Sequence, residues 1–185
     1  ITPFILRRTK KQALKDLPSK SVETVTLAMN DHQAQFYEAS LIEARALVEE
    51  KPDGFSIFPI FTKLREIAVD PDSFFEDFHE MSAKFEYLLS LVGEAIASGH
   101  KILAFSSFTK VLDNLRIALS EKEVDSRTID GSTPAQDRIA IAEQFNTTDD
   151  FKVMLVSLKA GGTGLNLIGA DIVVHLDPWW NPAAE

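Results

Sequence analysis

Lys152-Val153-Met154-Leu155-Val156-Ser157-Leu158-Lys159-Ala160-Gly161-Gly162-Thr163-Gly164-Leu165-Asn166-Leu167 decides how this chain is read. A short run of β-branched and apolar residues, 152–156, ends in a turn with three glycines and one lysine. Without Cβ atoms in the way, backbone N–H groups of such a turn can approach a phosphate closely, and Lys159 supplies the charge that a bare loop lacks. The same pattern is also an ordinary tight turn after a strand, so it needs its neighbours to decide it. A few residues on comes Asp177-Pro178-Trp179-Trp180-Asn181-Pro182, a turn with adjacent indoles. Neighbouring side chains of an extended segment face opposite ways, so the two cannot enter the same core together.

Working outward, the spacing predicts strands at 101–105, 126–129, 152–156 and 171–176, and helices at 110–121 and from Thr133 to Phe145. In the second helix Thr133 is expected as the cap, with Pro134 at the first helical position. Strands that alternate with helices imply βαβ crossovers, hence an α/β fold with a parallel sheet covered on both faces. Ligands of such sheets gather at the carboxyl ends of the strands. Ser106 and Ser107, Asp130 to Thr133, Ser157 to Gly164 and Asp177 to Asn181 are therefore expected along one edge. Each has a structural reading as well. Ser106 and Ser107 suit a helix cap, Arg138 a solvated helix residue or an ion-pair partner, Asn166 a bond within its loop, and Asp177 a turn before Pro178.

The earlier part of the chain has a helical period. Asn30 and Gln33 form a capping pair opening a helix toward Glu50, with Phe36, Tyr37, Leu41, Ala44 and Val48 on one face. Ile57, Ile60, Phe61, Leu64 and Ile67 mark a second helix, with Pro59 expected in its first turn. Phe74, Phe75 and Phe78 are expected to anchor an acidic loop on the core, and a third helix runs from Ser82 to Gly99 with Phe85, Leu88, Leu89, Val92 and Ile96 inward. The division expected is a crossing segment over 1–29, a helical appendage over 30–99 and a RecA-like lobe over 100–185.

At 185 residues and 45% apolar content the chain can bury a sizeable core, and it lacks the apolar run of a membrane span. It has no cysteine, which excludes disulfides and thiolate metal sites, and its four histidines are scattered. A net charge of −9 argues against a broadly basic nucleic-acid binder. The acids, however, concentrate in 38–53 and 70–86, while the candidate loops carry Lys110, Arg138 and Lys159. Starting at Ile1 and stopping within a motif at Glu185, the sequence reads as a piece of a longer protein.

Several motifs in order resemble the second RecA-like lobe of the SWI/SNF-type, helicase-like ATPases of superfamily two. They are Pro3-Phe4-Ile5-Leu6-Arg7-Arg8-Thr9-Lys10, Leu17-Pro18-Ser19-Lys20, Leu64-Arg65-Glu66-Ile67, Ser82-Ala83-Lys84, Ile102 to Thr109, Asp130-Gly131-Ser132-Thr133 with Arg138, Phe145-Asn146, and the two segments quoted first. The resemblance implies half of a two-lobe, ATP-driven translocase of double-stranded DNA. ATP with Mg2+ would be held mainly by the first lobe, with Gly162 and Gly164 approaching the nucleotide from this side. Ser106, Ser107, Ser132, Arg138, Ser157, Lys159 and Trp180 would hold the DNA backbone, and Trp179 would pack. The arginine fingers would lie beyond Glu185, so no catalytic residue and no metal ligand is expected here, and the isolated chain is expected to be inactive. The first lobe is the implied partner, a nucleoprotein or polymerase target stays open, and no membrane is involved. Its place would be intracellular, in the cytoplasm or nucleoid of a bacterium or a eukaryotic nucleus. Two other readings stand beside it: a non-catalytic DNA- or protein-interaction module, and a dinucleotide-binding oxidoreductase domain, for which the glycine spacing is wrong.

Overall fold

The structure, a computed structural model, describes residues 20–49, 54–162 and 164–178, with the backbone alone for 54–57. The crossing segment expected over 1–29 lies outside the described residues as far as residue 19, and residues 20–30 carry no regular secondary structure. Trp179 and Trp180 also lie outside them.

Among the described residues three helices come first: α1 (Asp31–Glu49), α2 (Gly54–Val69) and, after a 3-10 turn at Pro71–Ser73, α3 (Ala83–Ala97). The Asn30 side chain caps α1 by accepting from the Gln33 amide at 2.8 Å. Gln33 itself is buried and ties the three helices together. Its Nε2 donates to the Ile67 carbonyl at 3.1 Å, and its Oε1 accepts from the Ala83 amide at 3.3 Å. Ala44 is buried as expected, whereas Val48 is exposed because α1 outruns the surface it packs on. Pro59 stands inside α2, past the first turn where it was expected. Phe61, expected inward, is exposed, and of the three phenylalanines of the acidic loop Phe78 is fully buried while Phe74 stays outside.

The remaining elements alternate: β1 (Ile102–Ser106), α4 (Thr109–Glu121), β2 (Ser126–Ile129), α5 (Ala135–Thr147), β3 (Val153–Ser157), α6 (Leu158–Gly161) and β4 (Ile172–His175). They build a parallel sheet in the order β2-β3-β1-β4, each strand starting within a residue of its expected place. β3 is buried at every position, as an inner strand with both faces covered must be. On one face Ile102, Ala104, Val153 and Leu155 meet α4 through Val111, Leu112, Leu115 and Leu119. The buried stripe of α3, Phe85, Leu88, Val92 and Ala95, joins this same cluster. By packing, therefore, α3 goes with the sheet, although it lies before the expected boundary at 99/100. On the other face Leu103, Met154 and Val156 meet Phe145 of α5, Phe151 and Ala160 of α6. Each fully buried Val, Leu, Ile, Phe or Met among them contributes about 1.5–3 kcal/mol. Gly99, at φ +85°, makes the left-handed turn that releases α3 into β1.

Candidate functional site

Because every strand points the same way, the loops after β1, β2, β3 and β4 all leave the carboxyl edge of the sheet. At its centre is Asp177, at 2% exposure. Its Oδ1 accepts from the Ser106 hydroxyl at 2.7 Å and from the Ser107 amide at 3.0 Å. Its Oδ2 accepts from Arg65 Nη2 at 3.1 Å. Asp177 is thus a buried carboxylate joining β1, β4 and α2, more than the turn residue expected. Ser106, fully buried, also caps the turn into α4 by accepting from the Phe108 amide at 3.1 Å. Its hydroxyl is thus engaged within the fold through both bonds. Ser107 differs: its Oγ is buried with no hydrogen-bond partner among the described residues.

The charges around Asp177 shift each other. Burial pushes the Lys84 ammonium below its ordinary range, an effect that nearby Asp177 opposes and Arg65 reinforces. Burial likewise raises the Glu66 carboxyl, against a hydrogen bond from Ser73 and the field of Lys110.

The loop after β2 is a closed knot. Asp130 Oδ1 accepts from the amide and hydroxyl of Ser132, at 2.8 and 2.7 Å, and from those of Thr133, at 3.0 and 3.1 Å. The Ser132 hydroxyl is the first cause holding the Asp130 carboxyl below its usual range. Thr133 serves this knot, so it does not cap α5 as expected; Pro134 occupies the cap position without a side-chain bond. Arg138 braces the knot from α5, donating to the Thr133 carbonyl at 2.7 Å and the Gly131 carbonyl at 3.1 Å. It is not a free solvated residue, and it makes no ion pair among the described residues. Ser132 stays exposed at the tip.

After β3, Ser157 is buried and caps the short α6 by accepting from the Ala160 amide at 3.3 Å. The Ser157 hydroxyl, expected at the DNA, is thus engaged in a cap within the fold. Lys159 is exposed and has no partner among the described residues. Gly161 has its hydrogens against Phe105, where a Cβ would come within 2.9 Å of the ring. Gly162 is exposed, and Gly164 adopts φ +78° with open space around it. Farther on, Asn146 of α5 staples the loop: its Nδ2 donates to the Asn166 carbonyl at 2.8 Å, and its Oδ1 accepts from the Gly169 amide at 2.9 Å.

Sequence reasoning missed Arg65, Lys84, Asn146 and Gly169. All four act on segments distant in the chain; Arg65, Lys84 and Asn146 stand inside quoted motifs that could have flagged them, and Gly169 stands in none. Among the described residues no group of three histidine or acidic side chains could hold a metal ion. No described helix is long and apolar enough to cross a membrane.

Residues 83–185 match the family described as helicase conserved C-terminal domain, and residues 1–73 match the SNF2-related domain. An uncharacterized ATP-dependent helicase of Mycoplasma pneumoniae is 36% identical over the whole chain, which spans 18% of that relative. The nuclear protein STH1/NPS1 of Saccharomyces cerevisiae is 32% identical over 98% of the chain and is 15% covered. The chain thus spans less than a fifth of these relatives. Among solved structures, the Sulfolobus solfataricus SWI2/SNF2 ATPase core domain superposes with a TM-score of 0.80 at 28% identity, over 99% of this chain and 40% of that one. The same core in complex with double-stranded DNA gives 0.79 at 27% identity, over 98% and 40%.

Proposed function

From the premise that this chain belongs to the SWI/SNF-type family of helicase-like ATPases and forms the C-terminal, RecA-like lobe of such an ATPase, we propose that it grips the backbone of double-stranded DNA and supplies one wall of an ATP site closed by a first lobe. Family membership displaces the oxidoreductase reading. The observation that carries the proposal is the carboxyl edge of the sheet. There the internal polar groups of Asp177 and Asp130 satisfy one another, while Lys159 stands exposed and unpaired among the described residues.

The DNA side falls to Lys159, to Ser107 and to Ser132. Arg138 keeps part of its guanidinium for a phosphate while bracing the loop below. Trp180, outside the described residues, keeps its proposed place beside the DNA. Contacts of this kind position a protein on a duplex without reading its bases. On the nucleotide side, Gly162 and Gly164 offer exposed backbone with no Cβ to obstruct a phosphate, which fits ATP. The acids that would hold Mg2+ are assigned to the first lobe, because the described residues bring no such cluster together. ATP, when bound, would supply the phosphoryl group that passes to water; this chain's share would be to orient the nucleotide through the backbone at Gly162 and Gly164.

The test is salt-dependent binding of a duplex. Each phosphate contact contributes about 0.9 to the slope of log affinity against log salt, so Lys159→Ala should lower that slope by about one unit and weaken binding equally for all sequences. The isolated chain should show no ATP turnover above that of a control with Gly162 and Gly164 both changed. An unchanged slope would return Lys159 to a purely structural surface role, and turnover by the chain alone would overturn the two-lobe assignment.

A further inference from the structure

Three consecutive residues at the exit of β4 are held from the helical part of the molecule. Lys84, in the first turn of α3, donates to the Leu176 carbonyl at 2.7 Å. Arg65 of α2 donates from one nitrogen to Asp177 Oδ2 at 3.1 Å and to the Pro178 carbonyl at 2.6 Å. Its guanidinium also lies 5.7 Å from the centre of the Phe108 ring, the residue at which α4 begins. Asp177 passes the connection on to Ser106 and to the Ser107 amide.

Stability alone does not account for this arrangement. Asp177 is buried and Arg65 half-buried; burying the charge of such a pair costs desolvation that well-packed apolar residues avoid, and its attested use is to fix one geometry among several. Arginine suits that use, since the hydrogens on one nitrogen of its planar guanidinium point at two acceptors at fixed angles, where a lysine offers a point charge on a flexible stem. What lies at the far end of the connection is also informative. The Ser107 hydroxyl is buried without a partner among the described residues, at the junction that Asp177 holds.

We propose that Arg65 is a positioning residue that clamps Asp177 and Pro178, and so fixes where the segment leaving β4 and the Ser107 junction meet a DNA backbone. The helical part thereby sets the grip of the sheet edge. This rests on the DNA reading above, and its test is arranged so that the two fail separately.

The chain's only two tryptophans follow Pro178 directly, at positions 179 and 180, so its indole fluorescence reports on that exit. Arg65→Ala leaves Asp177 buried and uncompensated and is therefore a poor probe by itself. Two fold-preserving variants replace it: Arg65→Lys, which keeps the charge and loses the fork, and Arg65→Ala combined with Asp177→Asn, which removes both charges. Iodide quenching of the indoles, thermal melting and affinity for a short DNA duplex are measured on each. Arg45→Ala, an exposed residue of α1, controls for the loss of one positive charge.

With melting close to that of the unaltered chain, quenching should rise in both variants and duplex affinity should fall by about tenfold in the double variant, the size set by losing one charge-assisted hydrogen bond. Arg65→Lys should fall between, and Arg45→Ala should change quenching not at all. Unaltered quenching in both Arg65 variants overturns the clamp. Raised quenching with unaltered duplex affinity, while Lys159→Ala still weakens binding, overturns the link to grip and leaves the DNA reading standing. Failure of the unaltered chain to bind duplex at any salt overturns the DNA reading itself.

Discussion

A buried carboxylate must recover its lost hydration from donors, and Asp177 does so with a hydroxyl, an amide and a guanidinium. None of these partners is near in sequence: Ser106 is 71 residues away and Arg65 is 112 away. That is why Asp177 reads from sequence as a turn before proline. Lys159 was legible for the opposite reason, since a lysine between a strand and a glycine turn has few internal duties and needs no distant partner to be interpreted. The glycines divide similarly. Gly161, Gly162 and Gly164 announce themselves as a cluster, whereas Gly169 is isolated and its need is steric. A Cβ there would lie 2.9 Å from Asn146 Cα and 3.0 Å from the Phe145 carbonyl oxygen, backbone atoms that cannot swing aside. Gly169→Ala should therefore destabilise by about 1–3 kcal/mol, as overpacking does. Gly93, inside α3 with nothing within 4 Å of a new Cβ, supplies the contrast. Gly93→Ala should stabilise by about 0.5–1 kcal/mol, because the helix no longer carries the backbone entropy of glycine. Thermal melting of the two variants side by side checks both signs.

Elements were the most legible scale. Apolar spacing located the four strands, α4 and α5 closely, though not the short α6, and the Asn30 cap and the Ser82 cap of α3 form as expected, the latter accepting from the Phe85 amide at 3.3 Å. What local pattern could not supply is how elements are held to one another. Lys101 looks like the first residue of a strand, yet its ammonium sits under the end of α5, donating to the Phe145 carbonyl at 2.8 Å and to the Thr148 carbonyl, where cations offset the unpaired carbonyls of a helix end. Gln33 looks like a capping-box residue and is instead the bolt through α1, α2 and α3. Gln33→Ala would leave the Ile67 carbonyl and the Ala83 amide without these partners, at a cost of about 1–3 kcal/mol. Gln33→Glu keeps an acceptor for the Ala83 amide and loses the donor to Ile67. At neutral pH it should destabilise as well, by placing a carboxylate oxygen against a carbonyl. Denaturant unfolding of both variants measures this, and wild-type stability in either one would show that the helices are held by apolar packing alone.

At the scale of the whole molecule the net charge of −9 misleads, because sign is distributed unevenly over the surface. The acidic burden lies largely on the helical part, while the loops at the sheet edge offer Lys110, Arg138 and Lys159. One acid of the helical part is buried outright. Asp70, at 2% exposure, accepts from Asn114 of α4 at 2.8 Å and lies beside Asp72. Burial pushes its carboxyl up from 3.8 to about 6, Asn114 opposes the rise, and the like charge of Asp72 adds to it. A carboxyl whose folded pKa lies above its unfolded one binds its proton more tightly when folded. The folded state is therefore favoured at low pH, and this contribution is lost as pH climbs from about 4 through about 6. Glu66, also raised, acts in the same direction, whereas Asp130, held low by its knot, contributes stability that disappears as pH falls. Asp70→Asn separates these effects, because an amide can still accept from Asn114 and can donate to Asp72. The variant should exceed the unaltered chain in stability by about 2–3 kcal/mol at pH 7.5, with the two curves converging toward pH 4. Melting temperatures measured across that range decide it: parallel curves would mean that Asp70 stays ionised in the fold at no cost, its charge fully met by Asn114.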